Sequence, residues 1–295
     1  MDEEPPGAPT VRRLQVGARL RQLREAKGIS RADAGWAIRG SDSKISRMEL
    51  GRVSFKERDV ADLLELYGMD DPVERDRLLI LTKEANTPGW WNAYNDVLAS
   101  WFQNYLDLEQ AAELIRTYEV QFVPGLLQTD AYARAVIALG GVALGEQAVD
   151  RRAALRMARQ QVFDRPHPPR LWAIIDEAAL RRPIGGPAVL REQIVALIEV
   201  CERPEVRLQV IPFASGGHSA MGGAFSILRF PHQDVPDVVY IEHLTSGLYL
   251  EKREDIDLYS GAMAQLSLEA EPPDRTPAIL RTILSELDSR PGAGA

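Results

Sequence analysis

Helix-starting and helix-ending residues recur throughout the first 86 residues, and their spacing limits this stretch to short helices. Ser30 and Ser41 are hydroxyl residues of the kind that cap a helix N-terminus, and Gly28, Gly51 and Gly68 are suited to end one. Apolar residues between them repeat every three to four positions. We therefore predict five short helices, over residues 12–27, 30–39, 42–49, 56–67 and from Pro72 onward.

The chain beyond residue 86 mixes helical and strand-like patterns. Apolar runs rich in β-branched residues predict strands, and segments of helical periodicity lie between and after them without a regular alternation. The sequence therefore predicts an α+β fold, in which a five-helix all-α domain and a helical segment precede an α+β domain with a small, mostly antiparallel sheet. The predicted strands are 171–176, 206–213, 225–230 and 237–244, and the predicted helices are 130–139, 147–163, 188–201, 253–268 and 275–288. The predicted boundaries are a disordered tail 1–10, domains 11–86 and 87–288, and a tail 289–295.

Charge is distributed very unevenly along the chain. The whole chain carries a formal net charge of −8, but residues 11–58 hold 13 Lys and Arg against 5 Asp and Glu, a net charge of +8. The remainder holds 22 basic and 38 acidic residues and carries −16. A short basic segment ahead of an acidic body indicates binding of a polyanion through the N-terminal domain.

The stretch SDSKISRMELG, residues 41–51, is the best candidate for contact with that polyanion. With residues 30–39 it forms two helices joined by a short turn, in which Ala34, Ile38, Ile45 and Met48 point into a common core, and Gly35 allows the helices to approach closely. A helix of this kind fits the major groove of double-stranded DNA and offers its N-terminal residues to base edges. The residues left facing outward are Ser41, Asp42, Ser43, Lys44, Ser46 and Arg47.

Several other function classes find no support in the sequence. Cys201 is the single cysteine, which excludes an internal disulfide and fits a reducing cytoplasm. The four histidines show no zinc-ligand spacing, so we expect no metal and no cofactor. The chain has neither an apolar run long enough to span a membrane nor a nucleophile motif. We expect a cytoplasmic protein that is not an enzyme.

Two features of the acidic body are candidates for binding a ligand or partner. Trp90, Trp91, Trp101 and Tyr105 belong to an aromatic cluster, which is either the core seam between the two domains or a pocket for a ligand or partner. The glycine-rich loop GGHSAMGG, residues 216–223, carries His218, for which Glu242 and His243 are possible partners across the strands. Such a loop is either a flexible hairpin connection or part of a site.

The N-terminal segment resembles the helix-turn-helix of Xre-type regulators, the class of the phage lambda and 434 repressors and Cro, in the strings RQLREAKGIS and SKISRMELG. The resemblance implies that Ser41, Asp42, Ser43, Lys44 and Arg47 are recognition-helix residues, and that Arg31 replaces a glutamine that braces a backbone phosphate. We add Ser46 and Arg52 to the candidate DNA-binding residues. Lys44 and Arg47 are expected to set the register on the backbone, and Asp42 and Ser43 to read bases. Arg39 stands where the turn usually has glycine, so we expect the geometry of the turn to differ.

The rest of the chain is similar to long actinobacterial Xre regulators whose C-terminal domain is sometimes labelled antitoxin-like, in strings such as TPGWWNAYNDVLASWFQNYLDLEQAA and PDVVYIEHLTSGLYLEK. The resemblance implies a regulator whose C-terminal domain senses a ligand or a small protein encoded nearby. We expect a homodimer on a palindromic operator. The alternative is an antitoxin-type protein that mainly binds a small partner, with autoregulatory DNA binding.

Overall fold

The computed structural model describes residues 11–51, 53–86, 89–140, 145–231 and 235–289, so the predicted tail 1–10 and most of the predicted tail 289–295 lie outside the described residues. The chain divides into two compact units. The first contains residues 1–93 and 99–111 together with Phe230–Pro236, and the second contains the remainder. A sixth helix also lies in the first unit. No helix in the described ranges has the length and apolar character needed to cross a membrane.

The first unit begins with the five predicted helices. They are α1 (Val11–Ala26), α2 (Arg31–Ala37), α3 (Asp42–Glu49), α4 (Glu57–Leu66) and α5 (Pro72–Ala85). Ser30 and Asp71 cap α2 and α5 through their side-chain oxygens, as their positions before the apolar repeats predict. The sixth helix, α6 (Ser100–Ala111), follows a 3-10 turn that begins at Trp90.

One apolar core holds α1 to α5 together. Ala34, Ile38, Ile45 and Met48 are all buried in it, which confirms the prediction that α2 and α3 share a core. A Cβ atom at Gly35 would lie 2.9 Å from the Ser41 carbonyl carbon, so this glycine permits the close approach of α2 to α3. The core fixes which side of α3 remains available for binding.

The second unit is built on a six-stranded mixed sheet, which confirms the α+β fold. The strands are β1 (Leu114–Glu119), β2 (Arg170–Asp176), β3 (Val206–Ile211), β4 (Phe225–Arg229), β5 (Val238–Glu242) and β6 (Gly247–Leu250). Their order is β3-β2-β1-β4-β5-β6, with β1 parallel to β2, β2 parallel to β3, and the other three pairings antiparallel. The sequence predicted four of these strands and missed β1 and β6.

In the described part of the second unit, six α-helices accompany the sheet: α7 (Asp130–Leu139), α8 (Glu146–Gln160), α9 (Glu177–Arg181), α10 (Pro187–Val200), α11 (Arg253–Glu269) and α12 (Thr276–Asp288). Met263 and Leu266 of α11 pack on one face of the sheet against Tyr118, Ile174 and Ile227. Strand residues whose side chains point to the opposite face, such as Ile115, Ala173 and Val210, are buried as well. Both faces of the sheet are therefore covered over much of their area.

Candidate nucleic-acid interface

The local structure of α3 follows directly from its sequence. Ser41 adopts an extended backbone and its Oγ accepts a hydrogen bond from the Lys44 backbone N–H at 3.1 Å, which caps the helix. Ile45 and Met48 are buried, and the side of α3 away from the core carries short polar and charged groups. Ser41, Asp42, Ser43 and Arg47 are exposed, and Ser46 is half-buried.

A buried ion pair fixes α3 to α1. The guanidinium of Arg24 contacts the carboxylate of Glu49 through two hydrogen bonds of 2.5 and 3.0 Å, and both side chains are largely buried. The hydrogen bond to Glu49 is the main cause that raises the pKa of Arg24 above its ordinary value. Arg24 also donates to the carbonyl oxygen of Ile29, which precedes α2. One side chain of α1 thus contacts both α3 and the residue Ile29 ahead of α2.

Arg31 links α2 to the outward side of α3. Its Nη1 donates to the Ser46 Oγ at 3.3 Å, and its Nε lies 3.6 Å from the Asp42 Oδ2. Asp42 is therefore an ion-paired carboxylate in this structure, and a base that donates to it must share it with Arg31. These residues border a polar cleft of about 350 Å³ that is lined by Arg21, Arg24, Glu25, Arg31, Ser46, Glu49 and Leu50.

The two cations of α3 have different surroundings. Lys44 Nζ lies 2.6 Å from Asp59 Oδ2 of α4, and its side chain is 31% exposed. Arg47 is exposed, and its Nε makes a long hydrogen bond of 3.4 Å to the Ser43 carbonyl oxygen. Arg47 is therefore accessible to a ligand, whereas Lys44 would first have to leave Asp59, and the contact of both cations with the DNA backbone stays a prediction. This pair could not be predicted from the sequence because Asp59 is fifteen residues away on another helix.

The turn between α2 and α3 keeps the conformation that glycine favours, although an arginine occupies it. Arg39 has a φ of 52°, while Gly40 donates its N–H to the Gly35 carbonyl oxygen at 2.7 Å and has no positive φ. The indole of Trp36, on the preceding turn of α2, is 85% exposed. Trp36 and Arg39 therefore belong to the exposed surface of this motif. They were not among the candidate DNA-binding residues, and Arg52, which was, lies outside the described residues.

The aromatic cluster is partly built into the first unit. Trp91 Nε1 donates to Asp107 Oδ1 at 2.9 Å, and burial raises the pKa of Asp107 in spite of this hydrogen bond. Phe102 stacks on the buried Tyr105 at 5.3 Å and meets Trp101 edge-on at 5.7 Å. Trp90 and Trp101 are half-buried.

His218 lies inside the second unit rather than on a free loop. The Ala220 N–H donates to its Nδ1 at 3.2 Å, so Nε2 carries the ring proton and donates to the Tyr118 hydroxyl at 3.1 Å. Asp176 Oδ2 is 3.8 Å from the same nitrogen, and the imidazole is 4% exposed. The arrangement anchors the glycine-rich loop to the ends of β1 and β2.

Glu242 has neighbours other than the histidine that the sequence proposed. Its Oε2 accepts a hydrogen bond from the Tyr240 hydroxyl at 3.1 Å. It is also close to Glu119, the last residue of β1. Burial, and then the charge of Glu242, raise the pKa of Glu119 to about 8, while Arg156 and Arg159 oppose that rise. Glu119 was not recognised in the sequence because its neighbours come from a strand and a helix distant in the chain.

Comparison with known proteins assigns a family model to each part of the chain. A model described as a helix-turn-helix domain matches residues 15–78, which contain α2, α3 and the turn between them. A model described as a domain of unknown function, DUF5753, matches residues 102–282, which include the whole six-stranded sheet. No curated protein and no solved structure matches the chain.

Proposed function

Because the chain belongs to the DUF5753 family and carries a helix-turn-helix domain ahead of the family domain, we propose that it is a sequence-specific transcriptional regulator. In this proposal, α3 lies in the major groove of double-stranded DNA. The observation that carries it is the division of α3 into a buried side, fixed by Arg24 and Glu49, and an exposed polar side. The finer resemblance to Xre-type regulators, and action in the cytoplasm, belong to the same proposal.

The charge distribution supports this assignment. The net charge of +8 over residues 11–58 coincides with the segment that contains α2 and α3, whereas the rest of the chain carries −16. Basic residues that neutralise phosphates release condensed counterions, which gives a favourable and salt-dependent contribution to binding. An acidic remainder is repelled by the same phosphates, which favours docking through the first unit.

We assign different roles to the exposed side chains of α3. Arg47 contacts a backbone phosphate, since its guanidinium is exposed and no carboxylate of the described residues lies at ion-pair distance from it. Ser43 and Asp42 reach base edges near the helix N-terminus. Arg31, which holds Asp42 and Ser46, orients these groups. Lys44 contributes to backbone binding only when its contact with Asp59 opens.

The second unit, in this proposal, mediates dimerisation and binds a small protein or ligand. Leu258 and Leu268 of α11 are 73% and 79% exposed, and a Cβ atom at Gly261 between them would meet nothing within 4 Å. An open apolar side of this kind is suited to a second protein surface. A homodimer with two-fold symmetry would place two copies of α3 about one helical turn of DNA apart and read a palindrome.

Selection of bound duplexes from a random DNA library tests the proposal, using the purified full-length chain. The expected result is an enriched palindromic site, with half-sites roughly 10 base pairs apart from centre to centre. A library that yields no enriched sequence would contradict sequence-specific regulation. In the alternative antitoxin-type role the selected site would lie at the chain's own promoter, and a small protein encoded nearby would bind the chain stoichiometrically.

A further inference from the structure

One region of the sheet in the second unit carries four arginines around a tryptophan. Arg116 of β1 pairs with Trp172 of β2, and Trp172 pairs with Arg207 of β3. In the adjacent row, Leu114 of β1 pairs with both Arg170 of β2 and Arg229 of β4. These side chains alternate with buried residues such as Ile115 and Leu171 that point to the opposite face. We call Arg116, Arg170, Trp172, Arg207 and Arg229 the arginine face.

The arginine face has more positive than negative charge. Arg116 and Arg229 both contact Asp237, with distances of 3.3 Å from Arg116 Nη2 and 3.0 Å from Arg229 Nη2 to its Oδ2. Arg170 and Arg207 are exposed, and within the described part of the chain neither has a carboxylate at ion-pair distance. Glu113 also acts on Arg229, so two carboxylates stand against four guanidiniums. The arginine face keeps a positive excess on a unit that is otherwise acidic and therefore attracts an anion.

Arg116 is the recessed member of this face. Its side chain is 12% exposed, and its Nε is buried without a hydrogen-bond partner among the described residues. Burial, and then the positive charge of Arg229, lower the pKa of Arg116 from its ordinary value. A buried guanidinium with an unpaired donor is costly, and an anion held beside it by the exposed Arg170 and Arg229 would stabilise its charge.

Trp172 and Arg207 form a flat surface beside this recess. The Arg207 guanidinium carbon lies 4.3 Å from the centre of the indole ring, and Trp172 Nε1 donates to Gln209 Oε1 at 2.8 Å, which fixes the ring. Aromatic rings and guanidinium planes are the two protein surfaces on which nucleobases stack. Arg207 and Arg116 lie two strands apart, about 10 Å at the backbone, so the stacking surface and the recess are adjacent but distinct.

We propose that the arginine face is a nucleotide-binding site. The phosphates contact the exposed Arg170 and Arg229 beside the buried Arg116, and the base stacks on Arg207 where it covers Trp172. An acidic protein and an intact duplex offer no free base to stack on this surface, which favours a nucleotide over those macromolecules. This site goes beyond the proposed role in DNA binding and does not depend on it.

Calorimetric titration of the full-length chain with ATP, in the absence of DNA, tests the site. We compare ATP with tripolyphosphate and with adenosine, which separate the phosphates from the base. The expected result is that ATP binds at least about tenfold more tightly than either probe. Arg170→Gln and Arg207→Gln, each at an exposed position, should each weaken ATP binding by about tenfold, because the first removes a charge-assisted phosphate contact and the second removes the surface on which the base stacks. Arg253→Gln is the matched control, since Arg253 is 93% exposed at the start of α11.

Three results would overturn the proposal. ATP that does not bind, or that binds equally well to Arg170→Gln, Arg207→Gln and the parent chain, shows that the arginine face is not the site. Tripolyphosphate that binds as tightly as ATP shows a polyanion site without base recognition. If polyglutamate displaces ATP when both are added at the same total charge, the arginine face is a docking surface for an acidic protein instead. Since no DNA is present, each result is independent of whether α3 binds an operator.

Discussion

At the scale of single residues, Arg39 occupies a backbone conformation that favours glycine. A left-handed backbone costs an L-residue other than glycine roughly 1–2 kcal/mol, yet the hydrogen bond from Gly40 to Gly35 requires this turn geometry. The resemblance to Xre-type regulators placed glycine here and suggested a different turn. The structure retains the turn with arginine in it, because the packing of α2 on α3 determines the backbone.

Replacing Arg39 with glycine should therefore stabilise the first unit. We expect a gain of about 0.5–1 kcal/mol, because the relief of the strained φ exceeds the extra entropy that glycine gives the unfolded chain. Hydrogen exchange of the α2 and α3 amides in the full-length chain measures this as slower exchange. Arg39→Ala keeps the strain and removes the same charge, so it serves as the control. Equal exchange in the two variants would disprove the role of φ.

Glu119 gives the second unit a dependence on pH. Its pKa of about 8 lies above the ordinary value of 4.5, so the folded chain holds a proton that the unfolded chain has released. The resulting stability is complete below about pH 4.5 and is lost as the pH rises towards 8, with a slope of at most about 1.4 kcal/mol per pH unit. Glu119→Gln cannot release a proton and should lose this dependence.

Differential scanning calorimetry of the full-length chain between pH 5 and 8 measures the effect. The unfolding temperature of the parent should fall relative to Glu119→Gln as the pH rises. Glu242→Gln removes the neighbouring charge and should reduce the dependence in part, whereas Glu202→Gln, at an exposed position, should leave it unchanged. Parallel pH profiles for the parent and Glu119→Gln would show that Glu119 titrates normally.

At the scale of secondary-structure elements, the helices of the first unit were predictable and the sheet was predictable in part. Capping serines and apolar repeats are local signals, and they placed α1 to α5 within a few residues. β1 was missed because Arg116 and Glu119 interrupt its apolar pattern, although it is central in the sheet. The arginine face and the pair formed by Lys44 and Asp59 were also missed, since both depend on contacts between distant elements.

The different surroundings of the two cations of α3 predict different effects on DNA binding. Arg47→Ala should weaken binding to all duplexes and reduce the slope of log affinity against log salt by about 1, because one phosphate contact is lost. Lys44→Ala should change that slope less, since its Nζ is held by Asp59. Fluorescence anisotropy at several salt concentrations measures both slopes.

Arg58→Ala is the matched control for this comparison. Arg58 is exposed on α4, so Arg58→Ala removes one positive charge from outside α3. A smaller change in slope for Arg47→Ala than for Lys44→Ala would reverse the assignment of the phosphate contact.

At the scale of the whole molecule, the basic and acidic parts of the chain coincide with the two different family matches. The basic segment and the helix-turn-helix match coincide, and the acidic remainder carries the DUF5753 match together with the arginine face. The sequence predicted this division from charge alone, because net charge needs no knowledge of contacts. It could not predict a cationic patch inside the acidic part, since that patch is assembled by strand pairing.

The composition of the first unit from separated stretches of chain has a practical consequence for dissecting this protein. A gene fragment that stops at residue 86 encodes α1 to α5 but omits α6 and the Phe230–Pro236 connection, which belong to the same unit. Such a fragment would lack Asp107, whose charge acts on Arg13 of α1, and the buried rings of Tyr105 and Phe230. Reporter fusions and deletion series that cut the chain at residue 86 would therefore test a first unit that lacks some of its residues. Point substitutions in the intact gene are the sounder genetic tool.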